Sequence, residues 1–366
     1  MSNPLIRTRR ASRPGASRPV REGGTRAVGN QRDAFFDNAK YLAIVLVAIG
    51  HAWEPLRSDS RTVTALYMAV YVFHMPAFIV IAGYFSRSFD ARPDRVRRLI
   101  SGVLVPYAIF QVLYAVFNRW LYSDPEVPVR MFTPFWITWF LLALFIWRLT
   151  TPVWKTIRYP LPVAVAIGTL AAVSPYIGNT LDLHRVLQFL PFFVLGLVLR
   201  PEHFTALRRR AVRVAAVPIL CAALPVAYWA VPRLEYAWFY HRESAQELGV
   251  STATGVVMTL VFYGCSALLA AAFLALVPGR TTWFTALGAG TLYGYLLHGF
   301  LVRGAREWGW YDLGPVEHPV WGPALVTVTA ALLVTALCSS PVRGLLRPLV
   351  EPRLNLLFRD PAPRRG

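Results

Sequence analysis

The chain has 366 residues, of which 55% are hydrophobic and 16% are charged, and its mean hydropathy is +0.44. A soluble domain has about a quarter charged residues and places its apolar side chains on one face of each element. Here the apolar residues form blocks of about twenty residues, the length at which a helix crosses a bilayer. The composition argues against a soluble domain and predicts an all-α, multi-pass protein of the plasma membrane.

The net charge of +19 does not indicate nucleic-acid binding. The basic residues lie in the tails and in short loops between the apolar blocks, without interleaved aromatic residues for base stacking. Such residues set membrane topology and contact anionic lipids at the cytoplasmic face. The three cysteines lie far apart in apolar blocks, so neither a disulfide framework nor a zinc site is predicted, and no metal-binding motif is present.

Three regions are predicted in chain order. Residues 1–31 are rich in Arg, Gly, Ser and Pro, and we expect a disordered cytoplasmic tail because they contain little that folding can bury. Residues 32–340 form the membrane domain, and residues 341–366 form a basic cytoplasmic tail. Ten transmembrane helices are predicted in the domain, at 34–53, 64–85, 99–118, 134–150, 161–178, 186–200, 212–231, 251–277, 283–302 and 319–340.

The distribution of Lys and Arg predicts that both termini face the cytoplasm. With this orientation the cytoplasmic segments contain 28 basic residues and the outside loops contain 9, with Lys40 at the membrane boundary. Cytoplasmic segments of membrane proteins carry such an excess. A wrong helix count would invert every later loop and remove the bias, so the bias supports both the count and the orientation.

Ionisable residues on the first predicted helix mark it as a functional element. Asp37, Asn38 and Lys40 lie at its start and His51 lies far along it. The eleven-residue separation of Lys40 and His51 places both on one stripe, about 16 Å apart along the helix axis. Charged groups inside a bilayer are costly and usually face a cavity that serves function. Alternatively, Asp37 and Asn38 form only the hydrated end of an ordinary spanning helix.

Two further histidines, His74 and His298, fall within predicted spans. Imidazole ionises near neutral pH, so it can take a proton from a hydroxyl group and return it. His51, deep in the first span, is the best candidate for such a base. The alternative for His74 is a satisfied hydrogen bond in the core, and the alternative for His298 is an ordinary position at the membrane interface.

A cluster of arginines separates the second predicted span from the third and comprises Arg92, Arg95, Arg97 and Arg98. Arg95 and Arg98 are three residues apart, so on a helix they share a face. Paired guanidinium groups are suited to phosphate. The alternative is that this segment collects arginine as any cytoplasmic loop does.

Several short motifs occur in a defined order along the chain. They are Asp37-Asn38-Ala39-Lys40, Ile49-Gly50-His51, Phe73-His74-Met75-Pro76-Ala77-Phe78, Ala82-Gly83-Tyr84-Phe85, Trp139-Phe140-Leu141-Leu142-Ala143-Leu144, Phe189-Leu190-Pro191-Phe192-Phe193-Val194-Leu195-Gly196, Leu287-Gly288 and Leu292-Tyr293-Gly294-Tyr295-Leu296-Leu297-His298. With them the sequence resembles the membrane-bound acyltransferase-3 family over residues 32–340. The likeness is greatest to its fucose 4-O-acetylase-like branch.

This resemblance implies a ten-helix enzyme that transfers an acyl group, usually acetyl from acetyl-CoA, to a hydroxyl group of a sugar or lipid-linked glycan. It also implies that Lys40 and His51 are catalytic and that Arg95 and Arg98 bind the acyl donor. Many relatives have arginine at the position of Lys40, and lysine cannot form the bidentate contact of a guanidinium group. A serine common in the family is Ala82 here, so no serine nucleophile is expected at that position.

These observations combine into one mechanism. We expect the head group of CoA to dock on the cytoplasmic arginines and its pantetheine arm to reach inward, to a histidine that deprotonates the acceptor or briefly carries the acyl group. The expected roles are catalysis by His51, Lys40 and Asp37, donor binding by Arg95, Arg98 and Arg97, and acceptor binding by His74, His298 and Asn38.

The same ionisable residues also fit a multi-pass transporter or export component, for which ten helices are suitable. No clear inverted repeat of broken helices is present in the sequence, and the arginine cluster is better suited to a phosphorylated donor. A scaffold without catalytic activity would not require Lys40 and His51 on one stripe. The sequence leaves open the oligomeric state, the acyl chain length and the acceptor, which is a glycan, a lipid-linked sugar or an exported metabolite.

Overall fold

A computed structural model describes residues 33–178 and 180–352 of the chain. This part is helical and contains no β-strand, which confirms the all-α prediction. The predicted tail 1–31 lies outside the described residues, as does the end of the predicted tail 341–366. In chain order, the α-helices of the described part are α1 (Ala34–Trp53), α2 (Arg61–Tyr71), α3 (His74–Ser86), α4 (Pro93–Leu99), α5 (Val105–Tyr122), α6 (Trp139–Thr156), α7 (Pro160–Ala172), α8 (Leu183–Gln188), α9 (Leu190–Val198), α10 (Pro201–Leu207), α11 (Arg210–Ala230), α12 (Thr252–Leu276), α13 (Thr291–Glu307), α14 (Gly314–Glu317), α15 (Trp321–Leu337) and α16 (Ser340–Val350).

Short helical turns join several of these helices. A π-helical turn at Ile100–Leu104 connects α4 to α5. The segments with 3₁₀ geometry are Glu54–Leu56, Trp136–Thr138, Thr180–Asp182, Tyr236–Tyr240, Thr285–Gly290 and Trp310–Asp312. α16 occupies the start of the predicted tail 341–366, and the side chain of Val350 at its end is fully buried.

The described residues contain six helical segments that are long and apolar enough to cross a bilayer, or eight if two bent pairs are counted as spans. The six are Ala34–Leu56, Arg61–Ser86, Pro93–Tyr122, Trp136–Thr156, Arg210–Ala230 and Thr252–Leu276. The bent pairs are Thr180–Gln188 with α9, at 53°, and α15 with α16, at 68°. The predicted spans 161–178 and 283–302 correspond to α7 with 13 residues and α13 with 17. The count of ten spans and the cytoplasmic termini therefore stay predictions.

α1 is the central helix of the bundle. The carboxylate of Asp33 caps its start by accepting a hydrogen bond from the backbone N–H of Phe35 at 3.0 Å. The apolar run that follows is buried on most sides, because α2, α3, α13 and α15 all pack against it. A helix that is apolar on nearly every face is stable only when it is surrounded in this way or by lipid.

Asn38, which is fully buried near the start of α1, fixes the loop that precedes α13. Its amide nitrogen donates to the carbonyl groups of Pro278 at 2.8 Å and Arg280 at 3.0 Å. Its oxygen accepts from the hydroxyl groups of Thr282 at 3.2 Å and Thr285 at 2.7 Å. Both donors and the acceptor of the amide are therefore engaged within the protein. The Asn38 side chain therefore anchors the loop before α13 to α1.

The predicted span 64–85 consists of two helices, α2 and α3, which are separated at Val72 and Phe73. Pro76 lies in the first turn of α3, where a backbone N–H has no helical partner, so proline is tolerated there. The break places His74 at the first residue of α3 instead of the middle of a continuous helix.

α3 and α9 touch through their backbones. A Cβ atom added at Gly83 would overlap the carbonyl group of Phe193, and one added at Gly196 would overlap that of Val80. Small residues allow membrane helices to approach this closely. This contact fixes the position of α3, whose two ends line the cavities described below.

Gly196→Ala is expected to destabilise the protein, because the new methyl group would overlap the backbone of α3. Overpacking of this kind costs about 1–3 kcal/mol. The melting temperature of the detergent-solubilised protein, followed by tryptophan fluorescence, should fall by several degrees. Gly264→Ala on α12 is the matched control, since a Cβ atom there meets nothing within 4 Å. Equal melting temperatures for the two variants would contradict the close contact of α3 and α9.

Candidate active site

His51 lies in the last turn of α1, and the chain then turns through the 3₁₀ segment Glu54–Leu56. This turn places Oε1 of Glu54 2.9 Å from Nδ1 of His51. The hydroxyl group of Tyr71 donates to the same carboxylate oxygen at 2.9 Å and lies 3.1 Å from Nδ1 of His51. With a carboxylate as its partner, Nδ1 carries the proton and Nε2 keeps its lone pair. The arrangement suits a general base.

The His51–Glu54 pair lines a cavity of about 310 Å³, which we call the histidine cavity. His74 from α3, Arg185 from α8 and Arg242 from the loop before α12 also line it, together with several aromatic rings. A concave site with aromatic walls and a few polar groups is typical of small-molecule binding. His51 therefore faces a space in which a substrate can meet it.

The structure brings the two other predicted histidines to His51. His74 lines the histidine cavity and donates from Nδ1 to the carbonyl group of Val70 at 3.0 Å. His298 donates from Nδ1 to the carbonyl group of Gly294 at 2.9 Å, and its ring centroid lies 5.4 Å from that of His51. Because Nδ1 donates in both rings, Nε2 keeps its lone pair. Nε2 of His298 is buried without a hydrogen-bond partner among the described residues.

A fourth histidine, His241, lies beside this cavity in the loop between α11 and α12. Its ring packs on Phe189, with the centroids 4.4 Å apart. Burial, and then the positive charge of Arg185, lowers the pKa of His241 to about 3. The side chain is therefore neutral at physiological pH, and the positive charge on this side of the cavity comes from the arginines.

Trp136 forms a wall between the histidine cavity and two neighbouring cavities, all three of which it lines. The centroids of its ring and the His51 ring are 4.7 Å apart. Its backbone has a φ of 37°, a left-handed conformation that is uncommon for tryptophan and costs free energy. The next residue, Ile137, is fixed because its carbonyl group accepts a hydrogen bond from the hydroxyl group of Tyr295.

Lys40 and Asp37 lie near the start of α1 and pair with each other, with 2.7 Å between Nζ and Oδ1. The structure does not bring them to His51, because eleven residues of helix separate Lys40 from it by about 16 Å. Instead, the amine of Lys40 lies 5.9 Å from the ring centroid of Phe85 at the end of α3. The predicted catalytic residues thus divide between the two ends of α1.

Phe85 and Ser86 at the end of α3 line a second cavity, of about 380 Å³, together with Arg95, Arg98 and Arg148. We call it the Arg95 cavity. It contains both arginines that the sequence assigns to donor binding, and α4 carries them as predicted. Three guanidinium groups in one concave surface favour an anionic ligand such as phosphate.

Two of these arginines are already partnered by acids. Arg95 pairs with Asp90 at 3.3 Å, and Arg98 pairs with Asp94 at 2.6 Å. Ion pairs this exposed are weak, so a phosphate group can compete for the guanidinium groups. The third predicted donor residue, Arg97, is on the same helix but does not line the Arg95 cavity.

Arg148 is the deepest cation of the Arg95 cavity. It extends from α6, and its Nε donates to the hydroxyl group of Ser86 at 3.1 Å. The cluster 92–98 predicts the arginines of α4, whereas Arg148 joins them only through tertiary packing.

α3 connects the two cavities. His74 at its start lines the histidine cavity and Ser86 at its end lines the Arg95 cavity, so the rise of the helix separates them by about 18 Å. Between these ends, four side chains recur at the three- and four-residue spacing of one helix face and are at least partly exposed. This set, which we call the α3 stripe, consists of Met75, Phe78, Ala82 and Phe85.

The sequence reasoning missed Glu54, Tyr71, Trp136 and Arg148. Glu54 could have been found, because an acid three residues after a histidine at the end of an apolar helix can reach the ring. The other three carry no local signal, since they come from elements that meet α1 and α4 only in the folded bundle.

Comparison with known proteins places these features in a family context. A family model described as an acyltransferase domain matches residues 33–342. The Nodulation protein NolL of Sinorhizobium fredii is 28% identical over 196 residues, which cover 49% of this chain and 51% of that protein. The Nodulation protein NolL of Mesorhizobium japonicum is 27% identical over 194 residues, which cover 48% and 49%. The chain spans about half the length of these curated relatives, and no solved structure matches it.

Proposed function

Since the chain belongs to the acyltransferase-3 family of membrane proteins, we propose that it is an O-acyltransferase. In this proposal it moves an acyl group, acetyl from acetyl-CoA, onto a hydroxyl group of a glycan, a lipid-linked sugar or an exported metabolite. The similarity to two nodulation proteins adds no substrate, because their names state none. We also propose that the chain belongs to the fucose 4-O-acetylase-like branch of this family.

One observation favours an acyltransferase over a transporter. The His51–Glu54 pair lines a cavity at one end of α1 and α3, and the other ends of these two helices border an arginine-lined cavity. A transfer reaction between a phosphorylated donor and an alcohol needs such a division, with anion binding at one place and a base at another.

The base acts on the acceptor. Nδ1 of His51 is held by Glu54, so Nε2 takes the proton of the acceptor hydroxyl group as its oxygen attacks the thioester carbonyl carbon. The carbon–sulfur bond then breaks, and the thiolate of CoA leaves with the proton returned by the imidazolium. Glu54 stabilises the positive charge that His51 carries between these two steps.

The donor reaches His51 along α3. Its phosphate groups bind Arg95, Arg98 and Arg148, and its pantetheine arm follows the α3 stripe over the distance of about 18 Å to the histidine cavity. Lys40 and Asp37 lie at the entrance of the Arg95 cavity, because Lys40 contacts Phe85, which lines that cavity. With cytoplasmic termini, as the distribution of basic residues predicts, the donor enters from the cytoplasm and the acceptor from outside.

His51→Ala is expected to abolish transfer, because general base catalysis contributes about a hundredfold or more. The variant is expressed in a deletion strain, and base-labile acetyl esters in envelope glycans and exported metabolites are measured by mass spectrometry. The melting temperature of the purified variant serves as the folding control. Full ester content in cells carrying His51→Ala would reject the assignment. Purified wild-type protein should also be stabilised by acetyl-CoA, which a simple transporter would not show.

Glu54→Gln is expected to lower kcat by about tenfold or more while KM for acetyl-CoA stays near the wild-type value. The glutamine amide keeps a contact with His51. It supplies no negative charge, however, and it does not fix the tautomer of the imidazole. Loss of such a carboxylate is costly in histidine-based catalysis. Radiolabelled acetyl transfer in isolated membranes gives both constants. Glu317→Gln, the same change at an exposed position of α14, is the matched control. An unchanged kcat for Glu54→Gln would remove Glu54 from the mechanism.

Ala82→Leu is expected to narrow the donor path, because Ala82 is the smallest side chain of the α3 stripe and lies at its middle. We expect kcat/KM for acetyl-CoA to fall about tenfold. Ala82 also packs partly against the core, so the melting temperature of the variant is measured to detect overpacking. Ala222→Leu, at an exposed position on α11, is the matched control. Equal kcat/KM values for the two variants would show that the donor does not follow α3.

A further inference from the structure

One cavity near His51 is not used by the mechanism above. It has a volume of about 400 Å³ and shares Trp136 and Arg242 with the lining of the histidine cavity. We call it the Arg130 cavity, because Arg130, Arg242 and Arg303 line it. Its described lining contains three arginines and no acidic residue. The Arg95 cavity also holds three, but there acids pair with two of them.

The positive charge of this cavity is weakly compensated. Arg242 lies 3.9 Å from Asp182, whose carboxylate is closer to Arg185, at 3.1 Å. A terminal nitrogen of Arg303 donates at 2.6 Å to the hydroxyl group of Tyr122, which itself donates to Glu307 at 3.1 Å, and Arg303 forms no direct ion pair with an acid in the described part of the chain. An arginine cluster without matching acids on a concave surface attracts an anion.

Two buried polar atoms of the lining have no hydrogen-bond partner among the described residues. They are Nε of Arg303, a donor, and Oδ1 of Asn118, an acceptor. Buried polar groups are nearly always paired, so each such atom calls for an explanation. Both belong to the same cavity, and a ligand that carries negatively charged oxygens and hydroxyl groups would satisfy both.

The wall of the cavity is rigidly built. Nε2 of Gln111 donates to the carbonyl groups of Arg130 at 2.6 Å and Thr133 at 3.2 Å. Oε1 of the same side chain accepts from the N–H of Phe135 at 2.9 Å and the hydroxyl group of Thr138 at 2.8 Å. One buried amide thus holds the segment that carries Arg130 and Trp136, and a site organised in advance binds with less loss of entropy.

The cavity is also next to the base. Trp136 lines it and lies 4.7 Å from His51, ring centroid to ring centroid. Arg242 lines both this cavity and the histidine cavity. The arginines of this cavity and the His51 ring are therefore close enough for one ligand to contact both.

From this geometry we propose that the Arg130 cavity binds an anionic group of the acceptor, a carboxylate or a phosphate on a sugar. The inference rests on the proposed acyltransferase function and names the class of acceptor: an acidic sugar, with its charge among Arg130, Arg242 and Arg303 and its reacting hydroxyl group at His51. Trp136 provides an apolar face for the sugar ring between these two points.

Binding is measured without turnover, so the test does not depend on acyl transfer. Purified protein in nanodiscs of zwitterionic lipid is titrated with glucuronate, glucose 6-phosphate, neutral glucose and inorganic phosphate, and the melting temperature and the heat of binding are recorded. We expect stabilisation by at least one of the two acidic sugars and none by glucose. Comparison of the carboxylate with the phosphate identifies which anionic group the cavity prefers.

Substitutions in the lining test whether the acidic sugar binds in the Arg130 cavity. Arg130→Gln and Arg242→Gln together should weaken binding of the acidic sugar about tenfold or more, whereas the corresponding lysine variants should keep part of it. Both side chains are exposed, so these changes leave the fold intact. Arg233→Gln is the matched control, since this exposed arginine bonds and stacks on Trp229 and does not line the Arg130 cavity. Equal binding by the glutamine variants and the control would overturn the proposal, as would stabilisation by glucose equal to that by both acidic sugars.

CoA provides the last comparison, because it also carries phosphate groups. Its binding should be weakened by Arg95→Gln with Arg98→Gln and unaffected by Arg130→Gln alone, because Arg130 does not line the histidine cavity. If Arg130→Gln loses CoA instead, the cavity belongs to the donor and the proposal is wrong. Binding of acidic sugars by the purified protein, with no ester formed when the wild-type protein is expressed in the deletion strain, would refute the acyltransferase function and leave the anion site in place.

Discussion

The pairing of the His51 imidazole with the Glu54 carboxylate is the interaction on which the site depends. Only 14% of the His51 side chain and 23% of the Glu54 side chain are exposed, so both groups have lost most of their hydration. A polar group in such a place is stable only with a partner, and removal of either one leaves the other uncompensated. The Tyr71 hydroxyl group completes the set by contacting both. The cost of burying these groups therefore fixes the ring orientation that the chemistry needs.

The antiparallel arrangement of α1 and α3 determines where each function can lie. The start of α1 meets the end of α3, where Lys40 lies near Phe85, and the end of α1 meets the start of α3, where His51 and His74 share a cavity. Asn38 fixes α1 to the loop before α13, and the glycine contact fixes α3 to α9. With α1 anchored near its start and α3 near its end, the rise of α3 sets the separation of the two cavities at about 18 Å.

The sequence was sufficient for the features that local spacing determines. The apolar blocks predicted the helices, although the break at Val72 and Phe73 and the shortness of α7 were not visible in them. His51 was identified from its place on an apolar helix, and the structure surrounds it with polar partners. The sequence did not separate Asn38, which bonds backbone groups more than 200 residues away, from residues that face a substrate. Packing between distant segments decides that difference.

The two arginine cavities differ in a way that matters for the reaction. In the Arg95 cavity, acids from the same segment pair with two guanidinium groups, and in the proposed mechanism this cavity only holds an exposed phosphate. In the Arg130 cavity the guanidinium groups are not neutralised by the lining, and Arg242 extends into the space that His51 faces. Negative charge develops on the thioester oxygen during acyl transfer, and a fixed cation near that oxygen lowers the barrier most. In the proposed mechanism Arg242 therefore lies on the side of the molecule where the transition state gains its charge, whereas the arginines of the Arg95 cavity, about 18 Å away, are too far from it to stabilise it.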